Sequence, residues 1–419
     1  MDEKSLVWCM EFSAVGKPEN HMTDIGRVCE WANFWSGPLN APSARIGDCR
    51  VQANQERNGG EIAMAVYVGI DVHKRYCQAA LMSEQGQITH QLRFDNSQQG
   101  AASLIDLARS VDPHIKAVVE PSANFWIRIY DKLQDEGVEV KLSNPLRTKA
   151  IAEARIKTDR IDAKTLAQLL RGDLVAESYV PSRKNRERRA LIRHRASLMR
   201  MRVDIKNRIH AVLDKHELTH NYTDLFGKQG LEWLHSLQLS TPDHEILQSS
   251  LQVVETLSEQ IRSMDIHIAK DATNEEKAKL LMTMPGVDYY AAMVLLSEIG
   301  DVHRFSSDEK LVSWVGLAPQ VHQSGDSNWT GHITRKGSKR ARWILSQCAQ
   351  SARQHDPRMR EFYERIERKH GSQKAIVAVA RKMLAIMYVM LIRNEPYRGE
   401  NPELTDRKHK RLDMLVDSA

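Results

Sequence analysis

The spacing of apolar residues changes period several times along the chain, and each change marks an element. Residues 66–72, Val-Tyr-Val-Gly-Ile-Asp-Val, are β-branched and apolar enough for a strand covered on both faces, so Asp71 is an exception that needs a reason. Runs at 76–83 and 87–94 continue the strand pattern as hairpin partners, after which the period lengthens to a helical one over 98–110. A fourth apolar strand, Ile115-Lys116-Ala117-Val118-Val119-Glu120, again ends in a carboxylate, and a helix over 124–136 and a strand over 138–142 follow. Three strands in meander, then strands alternating with helices, predict a mixed sheet covered by helices.

That element order is the order of an RNase H-like fold. Beyond it the pattern is helical, so the fold class is α/β plus all-α. Residues 157–170 predict a helix ended by Gly172. Pro181 and Ser182 mark a boundary, and 183–215 and 242–269 predict two long helices with a break near Gly227 and Gly230. They suit either a coiled coil, antiparallel or intermolecular, or a helical hairpin packed on its own domain. Pro285-Gly286 between helical runs suggests a helix-hairpin-helix unit, although the charge of Asp288 would repel a phosphate and favours a structural use. A glycine-rich basic segment over 316–342 precedes helices at 339–353 and 373–393. The expected division is an unstructured extension over 1–63, an RNase H-like domain over 64–180, a helical region over 181–275, a C-terminal domain over 276–395 and a mobile charged tail over 396–419. Residues 1–63 carry Trp8, Trp31 and Trp35 among Gly, Pro and Asn breaks without any sustained period, and Met64 stands where a natural start would fall.

Composition adds a partner class. The net charge is +6, but residues 1–63 hold six Lys/Arg against nine Asp/Glu, leaving 54 against 45 in the remainder. A basic body suits a polyanion such as nucleic acid. Five cysteines without a CxxC pair exclude a zinc ribbon and fit a reducing, cytoplasmic setting. The apolar stretch 375–392 carries Arg381 and Lys382 at its middle, which argues for a partly buried helix and against a membrane span.

Candidate chemistry comes from carboxylates at corresponding places. Asp71 and Glu120 end strands, while Asp159 and Asp162 sit three apart on one helix face. Singly, each has an ordinary reading: Asp71 as a turn residue, Asp159 and Asp162 as a solvated face with Arg155 nearby. Together they suit a site for two divalent ions, and hard oxygen donors favour Mg²⁺ or Mn²⁺.

These residues fall within longer motifs: Gly69-Ile70-Asp71-Val72-His73-Lys74, Val119-Glu120-Pro121-Ser122, Lys157-Thr158-Asp159-Arg160-Ile161-Asp162-Ala163, Met284-Pro285-Gly286-Val287, and Gly316 to Gly325 continuing to Ile333-Thr334-Arg335-Lys336-Gly337. In this order they resemble the DEDD-type insertion-sequence transposases related to the Piv and MooV site-specific DNA invertases, over about residues 66–393. The resemblance implies DNA strand cleavage and exchange by a transposase or recombinase, with Asp71, Glu120, Asp159 and Asp162 as a metal-binding catalytic tetrad. It also implies a serine nucleophile, matched here by Ser324 before Gly325, with Ser327 and Ser338 close by. Asp326, Ser327 and Asn328 stand where many relatives have Gly and Lys. Further implications are dimers that pair into a tetramer and a structured guide RNA bridging two DNAs. Lys336, Lys339, Arg340 and Arg342, interleaved with Trp329 and Trp343, suit either phosphate contact with stacking or solvated charge beside core aromatics, and Arg188, Arg189 and Arg193 lie on the basic helix that offers a place for that RNA. Two other readings keep most of these features: a Holliday-junction-resolvase-like endonuclease using water, and a non-catalytic nucleic-acid-binding scaffold.

Overall fold

The structure is a computed structural model that describes residues 65–151, 158–324 and 327–418, with the side chains at 150 and 321–330 left out. The expected extension over 1–63 lies outside the described residues. The chain divides between Val180 and Pro181 into two compact units.

In the first unit, strands β1 (Val66–Val72), β2 (Tyr76–Met82), β3 (Ile88–Asp95), β4 (Ile115–Glu120) and β5 (Glu139–Leu142) form one sheet in the order β3-β2-β1-β4-β5. The central strand β1 runs antiparallel to β2 and parallel to β4, and its register sets Asp71 beside Glu120. Alternation along β1 decides what each residue faces. Val66, Val68, Ile70 and Val72 pack with Leu104 and Ile105 of α1 (Gln98–Val111) and with Ile129 and Leu133 of α2 (Trp126–Asp135). Each such side chain, fully buried, stabilises the unit by about 1.5–3 kcal/mol.

On the other face, Tyr67 joins Met82, Val118 and the apolar side of a later helix. Past the short α3 (Pro145–Ile151), that helix is α4 (Asp159–Arg171), which buries Leu166, Ala167 and Leu170 there. Gly69 lies under it: a Cβ at that position would stand 2.1 Å from the Ala163 carbonyl oxygen and 2.5 Å from the Ala167 nitrogen. The absence of a side chain at Gly69 lets α4 rest directly on the β1 backbone.

The second unit opens with α5 (Arg183–Lys215), α6 (Lys228–Ser236) and α7 (Thr241–Thr273). α5 and α7 pair antiparallel within the chain. Arg188 meets Asp271 and Glu275, Arg195 meets Asp265, the Arg202 guanidinium donates to the Ser258 hydroxyl, and Lys215 meets Asp243. The loop between them is packed rather than open: Leu225 and Leu234 join Ile209, Leu213, Leu247 and Leu251 in a satellite core. Gly230, expected as a break, lies inside α6, where a Cβ would stand 2.1 Å from the Leu225 carbonyl oxygen.

The remainder comprises α8 (Glu276–Met282), α9 (Tyr289–Ile299), a 3₁₀ turn Val302–Arg304, α10 (Asp308–Val315), a hairpin of β6 (Pro319–Ser324) and β7 (Ser327–Ile333), then α11 (Lys339–His355), α12 (Pro357–His370), α13 (Ser372–Arg393) and α14 (Pro402–Asp417). The Pro285-Gly286 turn is structural: Gly286 has φ +85°, a Cβ there would meet the Cys348 carbonyl oxygen, and the Asp288 carboxylate caps α9 by accepting from the Ala291 N–H. α13 is long and apolar enough to cross a membrane, yet Ala380, Met383, Leu384 and Met387 are buried in the core of this unit. The segment expected as a mobile tail holds α14, whose Leu412 is buried and whose Lys408 donates to the carbonyls of Met282 and Met284.

Candidate functional site

The Asp71 and Asp159 carboxylates come together at the C-terminal edge of β1. Asp71 and Glu120 are register partners on the two parallel strands. Asp71, like Gly69, faces α4, whose first turn carries Asp159 and Asp162. Thr158 caps that turn by accepting from the Ile161 N–H, and two acids at a helix N-terminus suit the positive end of its dipole. The Asp71 and Asp159 carboxylates and the His73 ring each offer a donor atom within 4.8 Å of one another. His73 Nε2 lies 3.1 Å from Asp71 Oδ2 and 3.2 Å from Asp159 Oδ2. The Tyr76 hydroxyl donates to Asp159 Oδ2 at 3.0 Å, and the Arg93 guanidinium stacks 3.6 Å above the Tyr76 ring.

Electrostatics agree with this crowding. Burial raises the Asp71 pKa above its ordinary value, His73 opposes the rise, and the charges of Asp159 and Asp162 add to it. Donation to Asp159, ahead of burial, raises Tyr76. Among the described residues the cluster joins the Asp71 and Asp159 carboxylate oxygens to the His73 ring nitrogen, donors that a divalent cation accepts. The donor set therefore fits such an ion.

Ser324 ends β6 opposite Ser327 in the hairpin register. The strand pair was not anticipated in a segment read as glycine-rich and basic, and its turn residues 325 and 326 lie outside the described ones. The hairpin base is held by close backbone packing: Gly316 has φ +86° and the Arg335 N–H donates to its carbonyl, while Thr334 N–H donates to Ala318. Ser338 is separated from the other serines by its role, because its hydroxyl caps α11 by accepting from the Ala341 N–H.

Several basic residues expected to face nucleic acid work inside the protein instead. Arg188 is 8% exposed and divides its donors between Asp271 and Glu275, and Arg189 donates to the carbonyls of Ser297 and Glu298. Arg193 pairs with the buried Glu298 but stays half exposed. Arg342 donates to the carbonyls of Val315 and Lys336, which ties α11 to the hairpin base. A guanidinium committed to two carbonyls or two carboxylates gives up those contacts if it turns to a phosphate. Lys336, Lys339 and Arg340 remain on the surface with Trp343, while the Trp329 side chain lies outside the described ones.

Comparison with known proteins adds a second line. A sequence model of IS110-type DEDD transposases matches residues 68–217, and the model described as Transposase IS116/IS110/IS902 family matches residues 278–364. The chain belongs to the IS110-type transposases. It is 24% identical to the transposase for insertion sequence element IS1111A of Coxiella burnetii, over 79% of this chain and 91% of that protein. It is 26% identical to the pilin gene-inverting protein of Moraxella bovis, over 79% and 97%, and 24% identical to the transposase for insertion sequence element IS1328 of Yersinia enterocolitica, over 77% and 96%. The family's DEDD name agrees with the acidic cluster at the sheet edge.

Within this IS110-type chain, sequence reasoning missed His73 and Tyr76. His73 follows Asp71 by two residues, the strand repeat, so the same alternation that turns Asp71 toward α4 pointed to it. Tyr76 opens β2 across the hairpin turn, which His73 closes by donating its N–H to the Tyr76 carbonyl, and no local pattern links it to Asp159.

Proposed function

We propose that this IS110-type transposase cleaves and exchanges strands of insertion-sequence DNA on an RNase H-like, RuvC-type catalytic domain. The observation that carries this reading is the register pair Asp71 and Glu120 at one sheet edge, with Asp159 brought to it by α4. Asp71, Glu120, Asp159 and Asp162 would hold Mg²⁺ or Mn²⁺; when bound, that ion supplies Lewis-acid activation of an attacking oxygen and stabilises a leaving one. Ser324 is the nucleophile in this proposal. Its hydroxyl oxygen bonds to a DNA phosphorus as the P–O3′ bond breaks, leaving a free 3′-hydroxyl and a serine-linked 5′ phosphate. A 3′-hydroxyl from another strand then attacks the same phosphorus and releases the serine. Lys336, Lys339 and Arg340 hold backbone phosphates beside the hairpin, with Trp343 as a stacking surface. A structured guide RNA and a dimer assembling to a tetramer belong to the same proposal.

Trapping and mapping a covalent protein-DNA adduct tests the nucleophile. The expected result is attachment at Ser324, lost in Ser324→Ala with DNA binding retained. Cleavage by Ser324→Ala at the wild-type rate would instead assign the attack to water, as in a resolvase, and Asp71→Asn should abolish either chemistry.

A further inference from the structure

We infer that His73 is a nitrogen ligand of the metal centre and tilts it from Mg²⁺ toward a divalent transition ion, with Mn²⁺ as the probe; the inference rests on the carboxylate site proposed above. The DEDD pattern supplies only oxygen donors, and His73 is outside it. His73 Nε2 is 3.1 Å from Asp71 Oδ2 and 3.2 Å from Asp159 Oδ2. Two cis donors each about 2.1 Å from an octahedral ion stand about 3.0 Å apart, so this nitrogen sits at the separation of a neighbouring ligand from both oxygens.

Its backbone is fixed for the task. His73 lies in the β1–β2 turn, where its N–H donates to the Tyr76 carbonyl, and the buried Asn96 side chain donates to the His73 carbonyl at 2.8 Å and to the Phe125 carbonyl at 3.1 Å. The ring rests 4.6 Å from the Tyr76 ring, whose hydroxyl holds Asp159. Two of the three donors are thus oriented by the same tyrosine, an arrangement in which outer partners fix the ligands.

The chemical consequence follows from donor type. Mg²⁺ prefers oxygen and gives up water reluctantly, whereas imidazole nitrogen suits first-row transition ions. Replacing one oxygen or water position by His73 Nε2 therefore favours Mn²⁺ over Mg²⁺ at this site and leaves the carboxylates as the common frame.

The test uses the full-length protein with MnCl₂, and MgCl₂ as competitor, and reads binding rather than turnover. Pulsed electron paramagnetic resonance of bound Mn²⁺ should show coupling to one imidazole nitrogen in the wild type and none in His73→Gln. Mn²⁺ affinity should fall about tenfold in that variant, with Mg²⁺ affinity changing less than about threefold, so that the selectivity ratio narrows. His73→Ala serves as a second variant, and circular dichroism confirms that both are folded. Absence of nitrogen coupling in the wild type, or an unchanged Mn²⁺/Mg²⁺ ratio in both variants, overturns the inference. Asp71→Asn separates the two layers: if it abolishes Mn²⁺ binding while the His73 variants change nothing, only the ligand assignment fails, and if it too leaves binding intact, the carboxylate site itself is refuted.

Discussion

Gly69→Ala is the sharpest perturbation of the proposed centre, because one methyl group acts on the site without touching a carboxylate. Its Cβ would lie 2.1 Å from the Ala163 carbonyl oxygen, and real contacts of this kind essentially never fall below 3.0 Å. α4 must therefore retreat by at least the difference, close to 1 Å, and the turn bearing Asp159 and Asp162 retreats with it. Overpacking of this kind destabilises a domain by about 1–3 kcal/mol, which leaves most of the protein folded at 25 °C. The site is less tolerant, since a misplacement of about 1 Å costs up to about 10²-fold in rate. Strand transfer should fall by about two orders of magnitude, and Mn²⁺ binding by titration calorimetry should weaken in parallel. Ile70→Val supplies the control, because Ile70 points to the opposite face and its truncation costs about 0.5–1.5 kcal/mol without moving α4. Wild-type Mn²⁺ affinity and strand transfer in Gly69→Ala would refute the claim that this glycine sets the spacing of the carboxylates.

Other outcomes follow from the second unit. Arg188→Ala should lower stability by about 1–3 kcal/mol in urea titration, because Asp271 and Glu275 lose their shared, largely buried partner; Arg188→Ala with unchanged stability but weakened DNA binding would restore a nucleic-acid role to this residue. Ser338→Ala should cost about 1 kcal/mol through loss of the α11 cap while leaving any protein-DNA adduct at Ser324 in place. Burial lowers the Lys408 pKa to about 8, below its ordinary value. The unfolded chain then binds more protons than the folded one between that pH and about 10.5, so stability rises with pH across this window by an amount of order 2 kcal/mol. Denaturation midpoints measured from pH 7.5 to 10 should show this rise in the wild type and a smaller one in Lys408→Met.

Where a segment has one dominant period, its element was legible. β1 and β4 announced themselves by Val and Ile, α5 by its Ser182 boundary, and α9 by an unbroken apolar run after Pro285-Gly286. The β6–β7 hairpin was not, because Gly, His, Gln and Ser dilute its alternation and its pairing is set by the Gly316 and Arg335 anchor outside the strands. α14 was hidden by its many charges, since only Leu412 and Thr405 are buried there and the Lys408 contact lies 126 residues away in sequence. In the site, Asp71 and Asp159 were legible from a strand end and a helix start, whereas Tyr76 reaches Asp159 across 83 residues. For Arg188 the error was of another kind: a basic helix face looks the same in sequence whether its partner is a phosphate or a neighbouring helix.

The antiparallel ladder between α5 and α7 also constrains how this chain can change in length. From Arg188 with Asp271 to Lys215 with Asp243, each step along one helix is matched by an equal step back along the other. Inserting one residue in either arm would rotate everything beyond it by about 100° and mispair every later rung. Two arms so matched can gain or lose turns only together, and the tip between them, packed through Leu225 and Leu234, holds their ends in step. Descendants of this chain should therefore keep the arms equal, as a zip fastener does not tolerate one extra tooth.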